Sequence, residues 1–259
     1  MDKINTFDTI IYTHVNNTQY IFGIRAVIEA VVSKKVVIDK VFIQKNTQGD
    51  LMRELLHTLK KNNVNFSYVP IEKLNKLVKG NHQGVVASTS PVSFISVEEM
   101  VTNAFQITEK PIFLLLDEIS DARNFGAIIR TAACTGVNGI IIPQHGAAPV
   151  NADTIKTSAG GVFEVPLAKT SHIKDAIFFL QSSGVPVVAT TEKASDTLYE
   201  VPFNQPIALI MGSEDRGINP SVLKLADHKA KLPIFGNIAS LNVSVACGAF
   251  LYEIIRQRR

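Results

Sequence analysis

The sequence predicts an α/β protein in which a small α/β domain precedes a larger domain built on a parallel sheet. Short helical and strand patterns alternate in the first 90 residues, whereas continuous apolar strands and helices alternate regularly beyond residue 110. Continuous apolar strands are typical of a parallel sheet that helices cover on both faces. The chain has 259 residues, of which 46% are hydrophobic and 19% charged. This composition supports packed cores and excludes a disordered or low-complexity protein.

The front domain is predicted to span residues 1–90. Leucines recur on one face of a helix that Asp50 is expected to cap, and Pro70 begins a further helix that Gly80 ends. Predicted helices cover residues 23–32, 50–61 and 71–79, and predicted strands cover residues 36–43, 65–69 and 85–88.

Residues 91–110 are interpreted as a linker, because prolines flank a short polar helix, and the second domain is predicted to span residues 111–259. Parallel sheets bind ligands beyond the carboxyl ends of their strands, so the loops after these strands are expected to carry the chemistry. The predicted strands cover residues 112–116, 139–142, 185–189, 207–211 and 231–234, and the predicted helices cover residues 124–134, 152–159, 173–181, 220–225 and 241–256.

Charge is divided unevenly along the chain. Residues 1–95 hold 12 Lys and Arg against 7 Asp and Glu, whereas residues 96–259 hold 14 against 16. A basic front part on a near-neutral body indicates contact with a polyanion, although a solvated lysine-rich surface would give the same counts.

Several classes of protein are excluded. No apolar run reaches the ~18 residues that span a membrane, and residues 1–6 lack a signal-peptide pattern, so a cytoplasmic protein is expected. Cys134 and Cys247 lie 113 positions apart in apolar segments, which predicts packing residues in a reducing compartment. The motifs of phosphate-loop NTPases, dinucleotide-binding folds and α/β-hydrolases are absent, and the six histidines form no H-x-x-x-H pair.

The loop after the 112–116 strand carries the first candidate site. Asn124 is expected to cap the following helix, and Gly126 is expected to let a bulky group approach its first turn. Gly126 and Arg130 share one face of this helix. An arginine in an otherwise apolar helix needs an anion as its partner. That partner is either a nearby carboxylate such as Asp117, or a phosphate or sugar that the planar guanidinium would bind.

Two further candidate loops follow predicted strands. In one, Gly212 and Gly217 bracket Glu214, a pattern that a simple turn into a helix would also explain. In the other, Ser240 is expected to cap the last helix. Asn242 follows it and calls for a polar partner, because asparagine is a poor helix former.

Three patterns occur in order: Asn-x-Gly-x-x-x-Arg at 124–130, Gly-x-Glu-x-x-Gly at 212–217, and Pro-x-x-Gly-x-x-x-Ser-Leu-Asn-Val-Ser-Val-Ala at 233–246. Together they resemble the SpoU/TrmH family of RNA ribose 2′-O-methyltransferases. Residues 22–30 and 81–87 resemble the small α/β substrate-binding domain of one subgroup, which includes enzymes that methylate a guanosine in 23S rRNA.

The resemblance implies a SPOUT-like fold, with a trefoil knot in the second domain, and methyl transfer from S-adenosylmethionine to a ribose 2′-hydroxyl of structured RNA. A guanosine in 23S rRNA is the favoured target. By resemblance, the catalytic residues would be Arg130, Asn124, Glu214, Ser240 and Asn242. By the same resemblance, the cofactor would be bound by Thr190, Met211, Gly212, Leu232, Ile234 and Leu241.

Alternatives stay open at several points. Arg130 would act as a base or, as a guanidinium that stays protonated, would hold a phosphate and stabilise the developing alkoxide. The substrate could instead be tRNA or another rRNA, and an RNA-binding assembly factor without catalysis is a further hypothesis. The basic residues 256–259 would contact RNA or end a solvated helix.

The resemblance also implies a homodimer, and no membrane or metal partner is expected. The last helix has an apolar face that would suit either a dimer contact or ordinary core packing. That face comprises Val243, Ala246, Phe250 and Ile254.

Overall fold

The computed structural model describes residues 12–15, 18–33, 36–90, 92–237 and 240–259. The predictions made for residues 1–6, for Pro91 of the linker and for positions 238–239 of the third pattern fall outside the described residues. The chain divides into two compact units, residues 1–93 with 150–152 and residues 94–149 with 153–259. None of the described helices has the length and apolarity needed to cross a membrane.

The first unit is a mixed sheet with helices on both faces. Its described elements are β1 (Tyr12–Val15), β2 (Thr18–Phe22), α1 (Ile24–Ser33), β3 (Ile38–Gln44), α2 (Asp50–Lys61), β4 (Phe66–Val69), α3 (Ile71–Leu77) and β5 (Val85–Thr89). The strand order is β1-β2-β5-β3-β4, with the β3–β4 pair parallel and the other pairs antiparallel. Val41 faces α1 and α2, whereas Val86 faces Leu74 of α3.

Local details of this unit differ from the prediction. Gly49 occupies the N-cap of α2, and Asp50 instead pairs with Arg53 one turn later. Helix α3 ends before Gly80, because Val78 takes an extended conformation and buries its side chain. The β1–β2 hairpin mixes polar and apolar residues, so periodicity does not predict it.

The second unit is a seven-stranded sheet in the order β10-β12-β9-β11-β6-β7-β8, and all of its pairs are parallel, as predicted. Its described strands are β6 (Ile112–Asp117), β7 (Gly139–Pro143), β8 (Leu167–Thr170), β9 (Val187–Thr190), β10 (Asp196–Thr197), β11 (Ile207–Gly212) and β12 (His228–Lys231). Its described α-helices are α4 (Val97–Ile107), α5 (Ala122–Thr135), α6 (Ala152–Ser158), α7 (Ile173–Ser182), α8 (Pro220–Leu223) and α9 (Val243–Arg258). The short strands β8 and β10 have no predicted counterpart, and β12 begins three residues before the predicted 231–234.

Helix α4 lies in the segment interpreted as a linker, yet it belongs to the core of the second unit. Met100 and Val101 are buried in the same cluster as Phe113 of β6. A Cβ on Gly139 would lie 2.2 Å from the Met100 sulfur, so the absence of a side chain at Gly139 allows α4 to pack closely on the sheet. Helix α4 therefore covers one face of the sheet together with α7.

Helices α5 and α9 contact each other, and each buries one apolar face. Val243, Phe250 and Ile254, part of the apolar face offered for a dimer, are 6%, 1% and 0% exposed. Of the two alternatives, core packing explains this face. Cys247 is buried in α9 as predicted, but Cys134 is exposed at the solvent side of α5, so its packing role was wrong.

The basic end of α9 is largely bound within its own unit. Arg256 pairs with Glu253 at 2.7 Å. The Arg258 guanidinium donates to the carbonyls of Phe203, Lys110 and Gln205 at 3.0, 2.6 and 2.6 Å. Arg258 therefore holds the helix end to neighbouring segments of the second unit, whereas the Arg256 pair lies within α9.

Candidate functional site

The carboxyl ends of four neighbouring parallel strands, β12, β9, β11 and β6, lie at one edge of the sheet. The first sequence pattern lies in α5, the helix that follows β6, whereas the second and third lie in the loops after β11 and β12, the third continuing into α9. Because carboxyl ends of parallel strands share an edge, patterns that lie far apart in sequence meet here.

The loop after β11 is a tight turn that two glycines make possible. Backbone hydrogen bonds join Ser213 and Gly217 in both directions, at 2.8 and 3.2 Å. A Cβ on Gly212 would lie 2.2 Å from the carbonyl carbon of Gly217 and the nitrogen of Ile218. Gly217 itself has a φ of +68°, in the left-handed region. The loop conformation therefore requires both glycines of the second pattern.

Asp117, at the end of β6, ties the first loop to the second. Its Oδ2 accepts the backbone N–H of Asn219 at 2.8 Å. The side chain is 6% exposed, and burial raises the pKa of this carboxyl above its ordinary value of 3.8. The Asn219 N–H opposes this rise, whereas the charge of Glu118 adds to it.

Asn242 is the point at which all three loops meet. Its Nδ2 donates to Asn124 Oδ1 at 3.0 Å and to Glu214 Oε1 at 2.6 Å. Its Oδ1 accepts the backbone N–H groups of Ser244 and Val245 at 3.0 and 3.4 Å, which caps α9. One side chain thus starts the last helix and joins the first and second patterns to the third.

The N-caps predicted at Asn124 and Ser240 are wrong, because a nearby residue caps each helix instead. Asp121 caps α5, because its Oδ1 accepts the N–H groups of Arg123 and Asn124 at 2.7 and 2.9 Å. This leaves the side chain of Asn124 available to Asn242. Asn242 in turn takes the cap position of α9 that Ser240 was expected to hold.

The first cavity, of about 430 Å³, opens beside this network. It is lined by the ends of β9, β11 and β12 and by the start of α9. Glu214, Ser240 and Asn242 are among its lining residues. Its lining also includes all six residues expected to bind the cofactor: Thr190, Met211, Gly212, Leu232, Ile234 and Leu241. The structure therefore brings nine of the eleven predicted site residues to one cavity.

Several residues of this lining escaped the sequence reasoning. Thr191, Glu192 and Lys193 follow β9, and Asp215, Arg216 and Lys231 are further charged residues of the lining. The signal for the first three is the abrupt change from the apolar β9 to a polar run at a strand end. Among the described residues, no group of three or more His, Cys, Asp or Glu side chains is arranged to hold a metal ion.

Arg130 does not line this cavity. Its side chain is exposed on α5 and faces a second cavity, which also involves Arg123 and Lys156. Within the described ranges, Arg130 forms no ion pair or hydrogen bond, so the expected alternative of a bond to Asp117 is wrong. Asn124, on the same helix, reaches the first cavity through Asn242.

Comparison with known proteins gives a consistent result. Residues 111–252 match the model of the SpoU rRNA methylase family, and residues 20–95 match the model for RNA 2′-O ribose methyltransferase substrate binding. A putative TrmH family tRNA/rRNA methyltransferase of Bacillus subtilis, YacO, is 34% identical over 92% of this chain and 96% of its own length. The 23S rRNA (guanosine-2′-O-)-methyltransferase RlmB of Photobacterium profundum is 32% identical over 92% of this chain and 98% of its own length.

Solved structures share the fold. The SpoU methyltransferase AviRb of Streptomyces viridochromogenes, in complex with AdoMet, superposes with a TM-score of 0.60 at 23% identity. The superposition covers 93% of this chain and 90% of that protein. At this identity the likeness concerns the fold.

Proposed function

Because the chain belongs to the SpoU rRNA methylase family, we propose that it transfers a methyl group from S-adenosylmethionine to a ribose 2′-hydroxyl of structured RNA. The observation that carries the proposal is the Asn242 network, which joins Asn124 and Glu214 at the rim of the first cavity. A guanosine in 23S rRNA is the favoured acceptor, since the RlmB relative of Photobacterium profundum is named for that reaction.

The residues that line the first cavity offer the apolar and backbone contacts that the cofactor needs. Leu232, Ile234 and Leu241 supply apolar surface, and Gly212 exposes backbone groups where a side chain would not fit. Thr190 and Met211 border the same space. Bound S-adenosylmethionine would supply an activated methyl group on its sulfonium. The protein then has to align the acceptor oxygen and assist loss of its proton.

The roles of the polar residues follow from their contacts. Glu214 holds Asn242 at 2.6 Å and so keeps the loop after β11 beside α9. Ser240 and Asn124, next to this pair, would position the acceptor ribose. Arg130 would hold the adjoining phosphate and stabilise the developing alkoxide, because a guanidinium is a cation throughout the working pH range. A role of Arg130 as the base is the alternative.

We assign RNA binding to residues 1–90 and catalysis to residues 111–259. The first unit is basic, and Lys40 and Lys73 both lie over the ring of Phe42, at 5.7 and 5.1 Å. Lysines beside an aromatic ring suit an RNA chain, which offers phosphates and base faces. Action on cellular RNA would place the protein in the cytoplasm.

The family resemblance further supports a trefoil knot in the second unit and a homodimer. For the dimer, exposed apolar residues offer a surface other than the buried face of α9. Val245 and Tyr252 of α9 are 56% and 59% exposed, and Phe235 is 98% exposed. Sedimentation of the protein would show a species of about 57 kDa.

The test uses methyl-labelled S-adenosylmethionine with unmodified bacterial rRNA or tRNA, followed by alkaline digestion. A 2′-O-methyl group protects the adjacent phosphodiester, so an alkali-resistant, guanosine-containing dinucleotide from 23S rRNA is the expected product. The same product from tRNA would support 2′-O-methyl transfer but refute the rRNA target. The YacO relative is named for tRNA and rRNA alike, so a tRNA substrate is a real alternative. Cofactor and RNA binding without label transfer would favour the assembly-factor hypothesis.

A further inference from the structure

A second cavity, of about 450 Å³, is formed by α5 and α6. Its described lining is Arg123, Arg130, Asp153, Lys156 and Thr157. Three of these five side chains are cations, and one is a carboxylate. All three cationic side chains are exposed, so their charged groups are available to a ligand.

The geometry of α5 places its two arginines on one face. Arg123 and Arg130 are seven residues apart, which is close to two helical turns. Gly126 lies on the same face between them. A Cβ on Gly126 would lie 2.7 Å from the Thr157 Cβ and 3.1 Å from the Thr154 carbonyl oxygen. The glycine of the first pattern is therefore required for the close approach of α6, rather than for the approach of a ligand.

A second glycine, Gly161, also allows the segment after α6 to pack closely on α5. Gly161 follows α6 in a short 3₁₀-helix, and a Cβ there would lie 3.5 Å from the Arg130 Cα and 3.2 Å from the Ala133 Cβ. The segment from Lys156 to Gly161 thus packs closely on α5. This packing brings Lys156 to the cavity that the two arginines line.

The three cations have no protein partner among the described residues. Arg123, Arg130 and Lys156 take part in no ion pair, side-chain hydrogen bond or cation–π contact there. Other arginines of the chain differ: Arg256 and Arg258 are both bound by their own unit. Three converging cations without partners repel one another, and an anion in the cavity would relieve that repulsion.

We propose that Arg123 and Lys156, together with Arg130, bind a backbone phosphate of the RNA beside the nucleotide that is methylated. This inference rests on the proposed function. Arg123 is next to Asn124, whose side chain accepts a hydrogen bond from Asn242 at the first cavity. Arg130 lies six residues beyond Asn124, about 9 Å along the helix axis. Helix α5 therefore contributes residues near both cavities. A polynucleotide is long enough to place its ribose at one cavity and a phosphate at the other.

The test compares Lys156→Gln and Arg123→Gln with the wild-type chain, using unmodified 23S rRNA as the probe. The dissociation constant is measured over a series of KCl concentrations. Each variant is expected to weaken binding roughly tenfold at low salt. Each is also expected to reduce the slope of log Kd against log salt by about one, because one phosphate contact is lost. In methyl transfer, the KM for RNA should rise while kcat changes little.

Control variants separate this role from a structural one. Lys174→Gln, at an exposed lysine of α7 outside both cavities, should keep the wild-type slope. Lys156→Arg should restore the slope lost in Lys156→Gln, and calorimetry should show unchanged affinity for S-adenosylmethionine in every variant.

Failure of this inference differs from failure of the proposed function. A wild-type protein that methylates RNA, with the same salt slope in both Gln variants, would refute the phosphate site alone. A protein that binds RNA with the expected slope changes, but transfers no methyl group, would refute the enzymatic function and support only a phosphate site for RNA at these three cations. A wild-type protein that binds no RNA would refute both.

Discussion

The side chains of Asn242 and Glu214 are joined by a hydrogen bond of 2.6 Å across 28 residues of sequence. Asn242 also caps α9 and binds Asn124, so this contact connects helix initiation with the geometry of the site. Any change that separates the two residues should disturb the cavity before it unfolds the protein.

Asn242→Asp tests that connection. The carboxylate would still accept the N–H of Ser244 and cap α9, but it could no longer donate to Glu214 and would repel it. Methyl transfer should fall roughly 100-fold, because small displacements in a catalytic constellation have effects of that size. The melting temperature should change little by comparison.

The double variant Asn242→Asp with Glu214→Gln provides the control. Its amide at 214 can donate to the new carboxylate, which restores the hydrogen bond with its direction reversed. We expect partial recovery of activity relative to Asn242→Asp. Additive losses in a double-mutant cycle would contradict the coupling.

Gly212→Ala should destabilise the protein and weaken cofactor binding. The new methyl group would overlap the backbone at Gly217 and Ile218, 2.2 Å away, and backbone atoms cannot move aside as a side chain can. The free energy of unfolding should fall by about 1–3 kcal/mol. In Gly248→Ala of α9, the Cβ meets its nearest neighbour, Thr131 Cγ2, at 3.7 Å, so denaturant unfolding should show equal or greater stability.

Asp117 should make the native state less stable as pH rises. Its pKa is raised by burial, so the folded state binds the proton more tightly than the unfolded state does. The free energy of unfolding therefore loses this contribution as pH rises from about 3.8, the ordinary value, through the folded pKa. Asp117→Asn retains an acceptor for Asn219 and removes the titration. The stability of Asp117→Asn minus that of the wild type should grow over this window, and a constant difference would contradict the assignment.

The two cysteines should differ in reactivity. Burial raises the pKa of the Cys247 thiol to about 12, whereas Cys134 is exposed. Since the thiolate is the reactive form, a chromogenic disulfide reagent should titrate one thiol in the native protein and two after denaturation. Cys134→Ser should abolish the native reaction, and a native reaction that persisted would show that Cys247 is accessible.

Arg258→Ala should lower the free energy of unfolding by about 1.5–3 kcal/mol, because hydrogen bonds from a charged donor are lost at three carbonyls. Arg259→Ala, at the exposed end of the chain, is the matched control and should stay within about 0.5 kcal/mol of the wild type. Equal effects in urea unfolding would show that Arg258 has no structural role.

Much of the fold follows from local pattern. Strands β6 and β11 are almost entirely apolar, and their hydrophobicity alone indicates a sheet covered on both faces. Helix ends were harder to predict, because neighbouring residues compete for one cap. Asp121 and Asn124 at α5, like Ser240 and Asn242 at α9, have similar capping propensities, and only their tertiary partners decide between them.

Sequence patterns predicted the fold class of the second unit and the positions of its polar loops, and the family resemblance added nine of the residues that line the first cavity. Tertiary structure alone decided that Asn242 joins these loops, that Arg130 faces a separate cationic cavity, and that Gly126 admits α6 rather than a ligand. The physical reason is the range of the interactions. Periodicity and capping act over a few residues, whereas these contacts join segments 20 to more than 100 positions apart, and sheet topology brings them together.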